Sequence, residues 1–509
     1  MTTQSSLQSY HPTPSDAAAD PWPEATVKHM LVGGERVESV TGAWRDVTTP
    51  AARERVIARV PEAGPEDVDR AVIAARAAWP LWRDQHFTGR QRLLLKIAEL
   101  VEQQAEELAQ VTAADTGNAI RTQARPEVAV LVDLFRYFGG VAGEVKGFTL
   151  PAGSTQLQYT RQEPLGVVGA ILPWNSPLMI AGFKVPAALA AGNTVVLKAA
   201  EDAPLSILML AEICQQVLPP GVLNVVTGEG AVVGEALVHH PGVDKVSFTG
   251  STEVGRRIAR SAGSRLAHVS LELGGKSPSI VFPGEVTDAL IDGLLLSSRV
   301  TRQGQSCTAG TRLLLHRDVH DEVIGRLVER MSSLRVGDPL DDASDIGAII
   351  NETQFSTVRE YLDEGLSDPR LTMELGGLPP DTGPLAEGYF HLPTVFSGAD
   401  NSFRLAREEI FGPVLVAIPW VDVDDVIRMA NDSAYGLAAY IWSDDINRAV
   451  DTAHRLEAGW VQINQGGGQM VGQSYGGYKQ SGIGREVSLE GMIAGFTQTK
   501  QVNVHLAIR

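Results

Sequence analysis

The stretch between residues 165 and 250 constrains the fold most, because short apolar runs alternate there with helical ones. Four runs rich in β-branched residues lie at 165–172, 193–198, 222–228 and 244–250. Segments with helical spacing, such as LMIAGFKVPAALAAG, separate them. This alternation indicates a doubly wound parallel sheet covered on both faces. Ligands bind such sheets beyond the carboxyl ends of the strands, so the chemistry is expected on the loops that follow them.

Helical periodicity is also clear in two segments before this stretch. Apolar residues recur at helical spacing over 67–79 and over 88–114. The second segment leads into Asp115-Thr116-Gly117, where the glycine suits a left-handed cap. Both helices are expected to pack against the core and to carry no chemistry.

The chain after residue 271 repeats the α/β pattern. A long helix is predicted over 288–302, and further strands and helices follow through residue 470. A second α/β domain is therefore expected. Segments 157–165 and 500–508 have the pattern of short strands that can pair with another chain.

Size and charge exclude several classes of protein. A chain of 509 residues is too long for one hydrophobic core, so two or three domains are expected. The net charge of −18 disfavours nucleic acid and anionic membranes as partners. No apolar run approaches the roughly 18 residues of a membrane span. The first residues lack the basic start and apolar block of a secretory signal, and they predict a polar tail.

The two cysteines have different surroundings. Cys214 lies in an apolar helical run, where structural cysteines are usually found. Cys307 lies in TRQGQSCTAG, among glycines and small polar residues, and requires a chemical explanation. Two cysteines cannot form a disulfide framework, which favours a reducing compartment such as the cytoplasm. No Cys/His pair has the spacing of zinc ligands, so no metal is expected.

Three loops follow strands of the first predicted sheet. They are PWNSP from Pro173, KAAE from Lys198 and FTGSTEVG from Phe248. The third is a tight turn that opens a helix, and its backbone N–H groups and Ser251 suit a phosphate, although it is not the G-x-G-x-x-G fingerprint. In the second loop, the Glu201 carboxylate can accept hydrogen bonds from ribose hydroxyls.

Six blocks of sequence resemble those of the aldehyde dehydrogenase superfamily, in the family's order. They are PWNSP, LELGG, GQSC, EEIFGPV, YGLAA and GGYKQSGIGRE, and the match extends from about residue 30 to the C-terminus. The resemblance implies oxidation of an aldehyde to a carboxylic acid with NAD, with a small-molecule aldehyde as partner. It also implies a homodimer or homotetramer.

The resemblance gives roles to four catalytic candidates. Cys307 would attack the aldehyde carbon, and the thiohemiacetal would become a thioester after hydride transfer. The side-chain amide of Asn175 and the N–H of Cys307 would bind the oxyanion. Glu272, between two leucines, should have a raised pKa and deprotonate the hydrolytic water, and an earlier deprotonation of Cys307 by the same carboxylate stays open. Lys184 matches a family lysine that assists proton transfer.

The resemblance also implies a dinucleotide site. Glu409 would hold the nicotinamide ribose, with Phe411 beside the ring. Glu201 would repel a 2′-phosphate, so NAD is favoured over NADP. The candidate cofactor-binding residues are Ile171, Leu172, Pro173, Trp174, Lys198, Glu201, Gly230, Gly234, Phe248, Thr249, Gly250, Ser251, Val254, Leu273, Glu409 and Phe411. The candidate aldehyde-pocket residues are Ser176, Met179, Phe183, Ser306, Thr308 and Tyr475.

Three positions depart from the family's pattern. Ala199 replaces the usual proline after the ribose-binding lysine, while Ser176 and Tyr475 replace aromatic residues that line the aldehyde pocket in relatives. The last two predict a more polar or roomier pocket. The position of Cys307 after the predicted 288–302 helix is unfavourable to a thiolate, because of the helix dipole, so its activation should come from a base or from hydrogen-bond donors.

Three other functions stay open at this point. An enzyme that transfers the acyl group to coenzyme A generally lacks the glutamate found at Glu272. A non-catalytic homologue would be expected to have lost Cys307, Glu272 or Asn175. An unrelated cysteine hydrolase would need a histidine partner, and no histidine-bearing loop is prominent.

Together these inferences predict an α/β fold with a doubly wound parallel-sheet cofactor domain, a second α/β catalytic domain and a small β oligomerisation arm. The predicted parts are the polar tail over 1–25, the NAD-binding domain over 26–144 and 165–271, the catalytic domain over 272–475, and the arm over 145–164 and 486–509.

Overall fold

The structure is a computed structural model that describes residues 25–379 and 381–506, so nearly all of the predicted tail lies outside the described residues. The strands of the described part, β1 to β23 in chain order, are Thr26–Val27, Met30–Val32, Glu35–Val37, Trp44–Thr49, Ala52–Pro61, Thr149–Leu150, Gln156–Pro164, Val167–Ile171, Thr194–Lys198, Leu223–Val226, Lys245–Thr249, His268–Glu272, Pro278–Val281, Arg312–His316, Thr372–Leu375, Thr394–Ser397, Val414–Trp420, Tyr435–Gly436, Ala438–Trp442, Trp460–Ile463, Tyr478–Lys479, Gly482–Ile483 and Thr497–His505.

The α-helices are numbered in the same way. Helices α1 to α15 are Pro65–Asp84, Phe87–Gln103, Ala105–Thr116, Arg125–Gly140, Pro177–Ala190, Leu205–Gln215, Glu235–His239, Thr252–Ser264, Asp288–Ser298, His320–Ser332, Glu352–Ser367, Arg404–Arg407, Val423–Asn431, Ile446–Arg455 and Leu489–Phe496. Short π-helical turns cover Ile120–Ala124 and Gly230–Gly234, and 3₁₀ turns cover Ala142–Glu144, Val300–Arg302 and Pro384–Glu387.

An eight-stranded sheet confirms the doubly wound pattern predicted for 165–250. Its order is β22-β12-β11-β8-β9-β10-β2-β3, and the five strands from β12 to β10 are parallel. Strands β8 to β11 are buried along their whole length, which explains their continuous apolar sequences. Because these strands are parallel, the loops that follow β8, β9 and β11 begin at one edge of the sheet.

A seven-stranded sheet forms the second α/β unit. Its order is β15-β16-β17-β14-β13-β19-β20, parallel except for β15 at one edge. Within the described ranges, no helix combines the length and the apolar character that crossing a bilayer requires.

The helix predicted over 67–79 lies within the longer α1, and two other predicted helices also have different bounds in the structure. The segment 88–114 is split at Gln104, which has φ −109° and ψ 19°, so that α2 ends and α3 begins there. The cap at Gly117 is confirmed, with φ 76°. The helix predicted over 288–302 ends at Ser298, because Arg299 adopts a left-handed conformation with φ 58° and a 3₁₀ turn follows.

The two segments predicted to be edge strands pair with each other. Strands β7 and β23 form an antiparallel ladder from Thr497 opposite Pro164 to His505 opposite Gln156, and β6 adds to the other side of β7. β7 is therefore the central strand of this small sheet, and β6 pairs with only Gln158 and Tyr159 along its second edge. The edge of β23 remains available, and Phe148, Leu150 and Leu157 expose apolar side chains around this sheet.

Candidate active site

A cavity of about 640 Å³ lies where the loops after β8, β11 and β12 meet the loop that carries Cys307. Sixteen of the residues predicted from the sequence line it. They are Pro173, Trp174, Asn175, Met179, Phe183, Thr249, Gly250, Ser251, Glu272, Leu273, Ser306, Cys307, Thr308, Glu409, Phe411 and Tyr475. Loops far apart in the sequence therefore bring the nucleophile, amide and carboxyl candidates to one cavity.

The other predicted residues do not line this cavity. Ile171, Leu172 and Phe248 are buried in the sheet and its first loop. Lys198, Glu201, Gly230, Gly234 and Val254 lie outside the lining. Ser176 and Lys184 are buried, at 1% exposure each, and neither belongs to the cavity lining. The structure therefore differs from the prediction that Ser176 lines the aldehyde pocket.

Two glycines shape the loop around Cys307. Gly304 has φ +66°, and a Cβ there would overlap the carbonyl oxygen of Gly412. A Cβ on Gly275 would overlap the carbonyl oxygen of Cys307 itself. Both positions therefore need glycine, and this packing explains why the cysteine lies in a turn with so few bulky neighbours.

Burial raises the pKa of the Cys307 thiol to about 11. A hydrogen bond with the Tyr475 hydroxyl, 3.5 Å from Sγ, acts in the opposite direction and favours the thiolate. The carboxyls of Glu409 and Glu272 raise the thiol pKa further, and the Arg302 guanidinium lowers it. The expected dipole effect of a helix over 288–302 does not arise in that form, because α9 ends at Ser298.

Tyr475 is held firmly against the cysteine. Its ring lies between those of Phe183 and Trp460, with centroids 5.7 and 6.1 Å away. Its backbone makes two hydrogen bonds with Glu486, of 3.1 and 2.7 Å. The side chain is 2% exposed, so its hydroxyl has a fixed direction toward Sγ.

The Asn175 amide is also positioned by hydrogen bonds. Its Nδ2 donates to the carbonyl of Gln305 at 2.9 Å, which ties it to the turn that carries Cys307. The Nδ2 of Asn118 donates to the carbonyl of Asn175 at 3.0 Å. Among the described residues, the Cys307 N–H donates to no protein acceptor. The Cys307 N–H and the second hydrogen of the Asn175 amide are therefore available to an oxygen bound beside the sulfur.

Glu272, the last residue of β12, is the most unusual carboxyl of the cavity. It is 3% exposed, and neither of its oxygens has a hydrogen-bond partner in the described part of the chain. Burial and the nearby Glu486 carboxylate raise its pKa well above the usual range, while Lys184 acts against this. A buried carboxyl without partners has acceptor positions that suit a water molecule.

Lys184 belongs to a buried polar cluster beside Glu272. Its Nζ lies 2.8 Å from Glu486 Oε1 and donates to Ser247 Oγ at 3.1 Å. The Ser270 hydroxyl donates to Ser247 at 3.1 Å. The lysine acts on the cavity electrostatically, through Glu272, and does not form its wall.

The residues at the sheet edge fit a dinucleotide. Lys198 Nζ contacts Glu201 Oε2 at 2.5 Å, and the other oxygen of Glu201 accepts from the Gly230 N–H at 3.2 Å. Burial raises the pKa of Glu201, but the Lys198 ammonium outweighs it and the net shift is downward. A partly exposed carboxylate is thus held in a fixed position at this edge of the sheet, and its oxygens can accept hydrogen bonds from hydroxyl groups.

Nearer the cysteine, further groups fit the rest of the dinucleotide. The buried hydroxyl of Thr249 has no partner among the described residues. Ser251 caps α8 by accepting from the Val254 N–H at 3.3 Å. Glu409 accepts from the Gly275 N–H at 2.9 Å, and burial raises its pKa to about 7. These groups offer donors and acceptors from the start of a helix to the cysteine.

Sequence reasoning missed several residues of the site. The cavity lining includes Glu127, Gln123 and Arg302. Glu486 lies close enough to Glu272 for its negative charge to raise the pKa of Glu272. Arg302 directly precedes the QGQSC segment, so its closeness to Cys307 in the sequence was a signal that could have identified it. Glu127 and Gln123 had no local signal, since they come from a helical region distant in the sequence.

Comparison with known proteins agrees with this geometry. The model of the Aldehyde dehydrogenase family matches residues 37–502, so the chain belongs to that family. Hydroxyisobutyraldehyde dehydrogenase from Mycolicibacterium austroafricanum is 42% identical over 483 residues, which cover 95% of this chain and 94% of the relative. An aldehyde dehydrogenase from Aspergillus niger is 41% identical over 483 residues, 94% of this chain and 95% of its own.

The fold has solved counterparts. The NAD⁺ complex of an aldehyde dehydrogenase from Bacillus cereus has a TM-score of 0.91 and 37% identity, covering 96% of this chain and 98% of its own. The chain is accordingly an NAD-dependent aldehyde dehydrogenase, which oxidises an aldehyde to the carboxylic acid.

Proposed function

We propose that Cys307 carries the acyl group in this oxidation and that water activated by Glu272 releases the acid. One observation supports this most directly: Cys307, Asn175 and Glu272 line the same cavity, although they are separated widely in the sequence. The sulfur attacks the carbonyl carbon, and the carbonyl electrons move to oxygen, forming a thiohemiacetal.

The charge that develops on that oxygen is stabilised by two donors. The Asn175 amide and the Cys307 N–H provide them, and each donor of this kind contributes about 10²- to 10³-fold in rate. Because Asn175 is anchored to the Gln305 carbonyl, little reorganisation is needed during the reaction. The tetrahedral oxyanion is thus favoured over the substrate carbonyl.

NAD, when bound, supplies the hydride acceptor for the oxidation. The proposed ribose ligands are Glu201, with Lys198, on the adenosine side and Glu409 on the nicotinamide side. Phe411 would lie beside the ring, supported by edge-to-face contact with Trp174 at 5.3 Å between centroids. The negative charge of Glu201 favours NAD over NADP.

Glu272 removes a proton from the water that hydrolyses the thioester. A carboxyl with a raised pKa is a stronger base near neutrality than an ordinary one, and its deprotonated form does the work. Lys184 and Glu486 set that pKa in opposite directions. We assign them as positioning residues, since they act through Glu272.

The proposal is tested by the stoichiometry of the reaction. With a panel of aliphatic, aromatic and amino-aldehydes, and without coenzyme A, we expect one NADH and one free acid for each aldehyde consumed. NADH is measured at 340 nm and the acid by chromatography. A strict requirement for coenzyme A, with an acyl-CoA product, would contradict the role of Glu272.

The small sheet of β6, β7 and β23 supports a further proposal, a homodimer or homotetramer. It combines an open edge with exposed apolar side chains, a surface suited to pairing with a second copy. Both cysteines are free, which fits a reducing compartment such as the cytoplasm.

We predict that Tyr475→Phe slows alkylation of Cys307 by iodoacetamide about tenfold. Phenylalanine keeps the ring packing but removes the hydroxyl that donates to the thiolate. A hydrogen bond to a charged group contributes about 1.5–3 kcal/mol, or at least one pKa unit. Losing the donor raises the thiol pKa above about 11, so the thiolate fraction falls at every pH below that value.

Tyr478→Phe provides the matched control, because Tyr478 lies three residues away and is 47% exposed. Its alkylation profile should follow that of the wild type. An unchanged profile in Tyr475→Phe would show that the hydroxyl does not stabilise the thiolate.

A further inference from the structure

The wall of the cavity contains an arginine, Arg302, that contacts neither the aldehyde nor NAD in the proposed mechanism. Arg302 lies in the 3₁₀ turn after α9 and lines the cavity. Its Nε donates to Gln123 Oε1, and Gln123 Nε2 in turn donates to Thr301 Oγ1 at 3.3 Å. The guanidinium is thus held along one edge. Its terminal amino groups have no acceptor or ion-pair partner among the described residues.

The acidic neighbour of Arg302 acts on its charge without bonding to it: burial lowers the pKa of Arg302, and the Glu127 carboxyl opposes this shift. Glu127 is 1% exposed, and its Oε1 accepts from the N–H groups of Leu178 and Met179 at 2.8 and 3.2 Å. Glu127 forms no ion pair with Arg302 in the described structure, and its other oxygen has no partner. Burial raises the pKa of Glu127 to about 7, which weakens its negative charge at neutrality.

Arg299, the second arginine of the wall, is 7% exposed, and its buried Nε has no partner among the described residues. Arg299 Nη2 donates to the carbonyl of Gly467 at 2.6 Å. Apolar side chains, Met179 and Phe183 among them, line the cavity as well. Among the described residues, the cavity therefore combines an apolar surface with the guanidinium of Arg302, whose terminal amino groups have no protein acceptor. A guanidinium matches a carboxylate with two parallel hydrogen bonds.

We propose that Arg302 selects aldehydes that carry a carboxylate at the end remote from the carbonyl. The proposal rests on the proposed function of Cys307 in the same cavity. The carbonyl lies at the sulfur, the hydrocarbon chain passes the apolar wall, and the carboxylate accepts from the terminal amino groups of Arg302. Neutral aldehydes bind the same apolar wall without this ion pair.

The test compares kcat/KM for 4-oxobutanoate, its neutral methyl ester, butanal and 4-aminobutanal. The wild type should prefer 4-oxobutanoate over the ester. Arg302→Gln should lower kcat/KM for 4-oxobutanoate about 10- to 100-fold more than for butanal, and Arg302→Lys should lose less. The comparison between substrates removes any common effect of Arg302 on the thiol.

Arg121→Gln is the matched control, because Arg121 lies outside the cavity lining and pairs with Asp345. It should leave the preference for 4-oxobutanoate intact. Equal losses for charged and neutral aldehydes in Arg302→Gln would overturn the proposal. A preference for 4-aminobutanal that is lost in Glu127→Gln would also overturn the proposal, because Glu127 would then be the residue that selects the charge of the substrate.

The same data separate this proposal from the one on which it rests. A wild-type enzyme that oxidises butanal but shows no charge preference contradicts only the role of Arg302. Inactivity of the folded, NAD-binding wild type toward all four aldehydes would overturn both proposals.

Discussion

Cys307→Ala is expected to abolish NADH formation with every aldehyde. We expect kcat to fall by at least about 10⁴-fold, because no other described side chain of the cavity can form the thioester. Alanine removes only the sulfur, and the surrounding turn is fixed by Gly304 and Gly275. NAD binding should persist, and quenching of protein fluorescence measures it. Hydrolysis of a nitrophenyl ester should disappear together with the dehydrogenase activity, since both need the same acyl-enzyme.

Cys214→Ala is the control for that experiment. Cys214 is fully buried in α6, and burial raises its pKa to about 12, so it has neither access nor reactivity. The variant should keep its activity and a single alkylation site. Substantial NADH formation in Cys307→Ala would instead require direct oxidation of a hydrated aldehyde, without a covalent step.

The sequence was sufficient to predict the four parallel strands β8 to β11 of the first sheet, but not its strands β2, β3 and β22. Strands β8 to β11 are buried on both faces, so their sequences are continuous apolar runs that stand out from the helices between them. Cys307 was conspicuous because polar neighbours are unusual for a structural cysteine. The resemblance then connected it to Asn175 and Glu272.

Other features arise only from tertiary contacts. Lys184 and Glu486 meet across 302 positions of sequence, and nothing local marks Glu486 as a neighbour of Glu272. The helix breaks at Gln104, but neither neighbouring residue is a glycine or a proline. Because the apolar spacing of 88–114 continues across this position, the sequence did not predict the break. The pairing of β7 with β23 joins segments as far apart as Gln162 and Thr499, which are separated by 337 positions, so no local pattern marks it.

The pKa of Glu272 connects these contacts to the rate. Its carboxyl is an acceptor without a protein donor, next to a second carboxylate and a lysine. Because the pKa is raised, the basic form is lost as the pH falls through a higher value than for an ordinary glutamate. The rate of deacylation should therefore rise with pH through the raised pKa and then level off.

Glu272→Gln should separate the two halves of the reaction. Glutamine has nearly the same shape but cannot accept the proton of water, so deacylation is expected to slow by about 10²- to 10⁴-fold. Stopped-flow measurement at 340 nm should show a burst of one NADH for each active site, followed by a slow steady state. The steady rate should also lose the pH dependence described for the wild type.

The acyl group left by the burst should be found on the peptide containing Cys307 by mass spectrometry after acid quenching. Glu285→Gln, at an exposed glutamate, should match the wild type in both the size of any burst and the steady-state rate. Loss of the burst itself in Glu272→Gln would place this carboxylate earlier in the reaction, as the base that deprotonates Cys307. That outcome fits a thiol whose pKa is raised to about 11, since such a thiol is mostly protonated at neutrality. The size of the burst therefore decides whether Glu272 serves water alone or both nucleophiles.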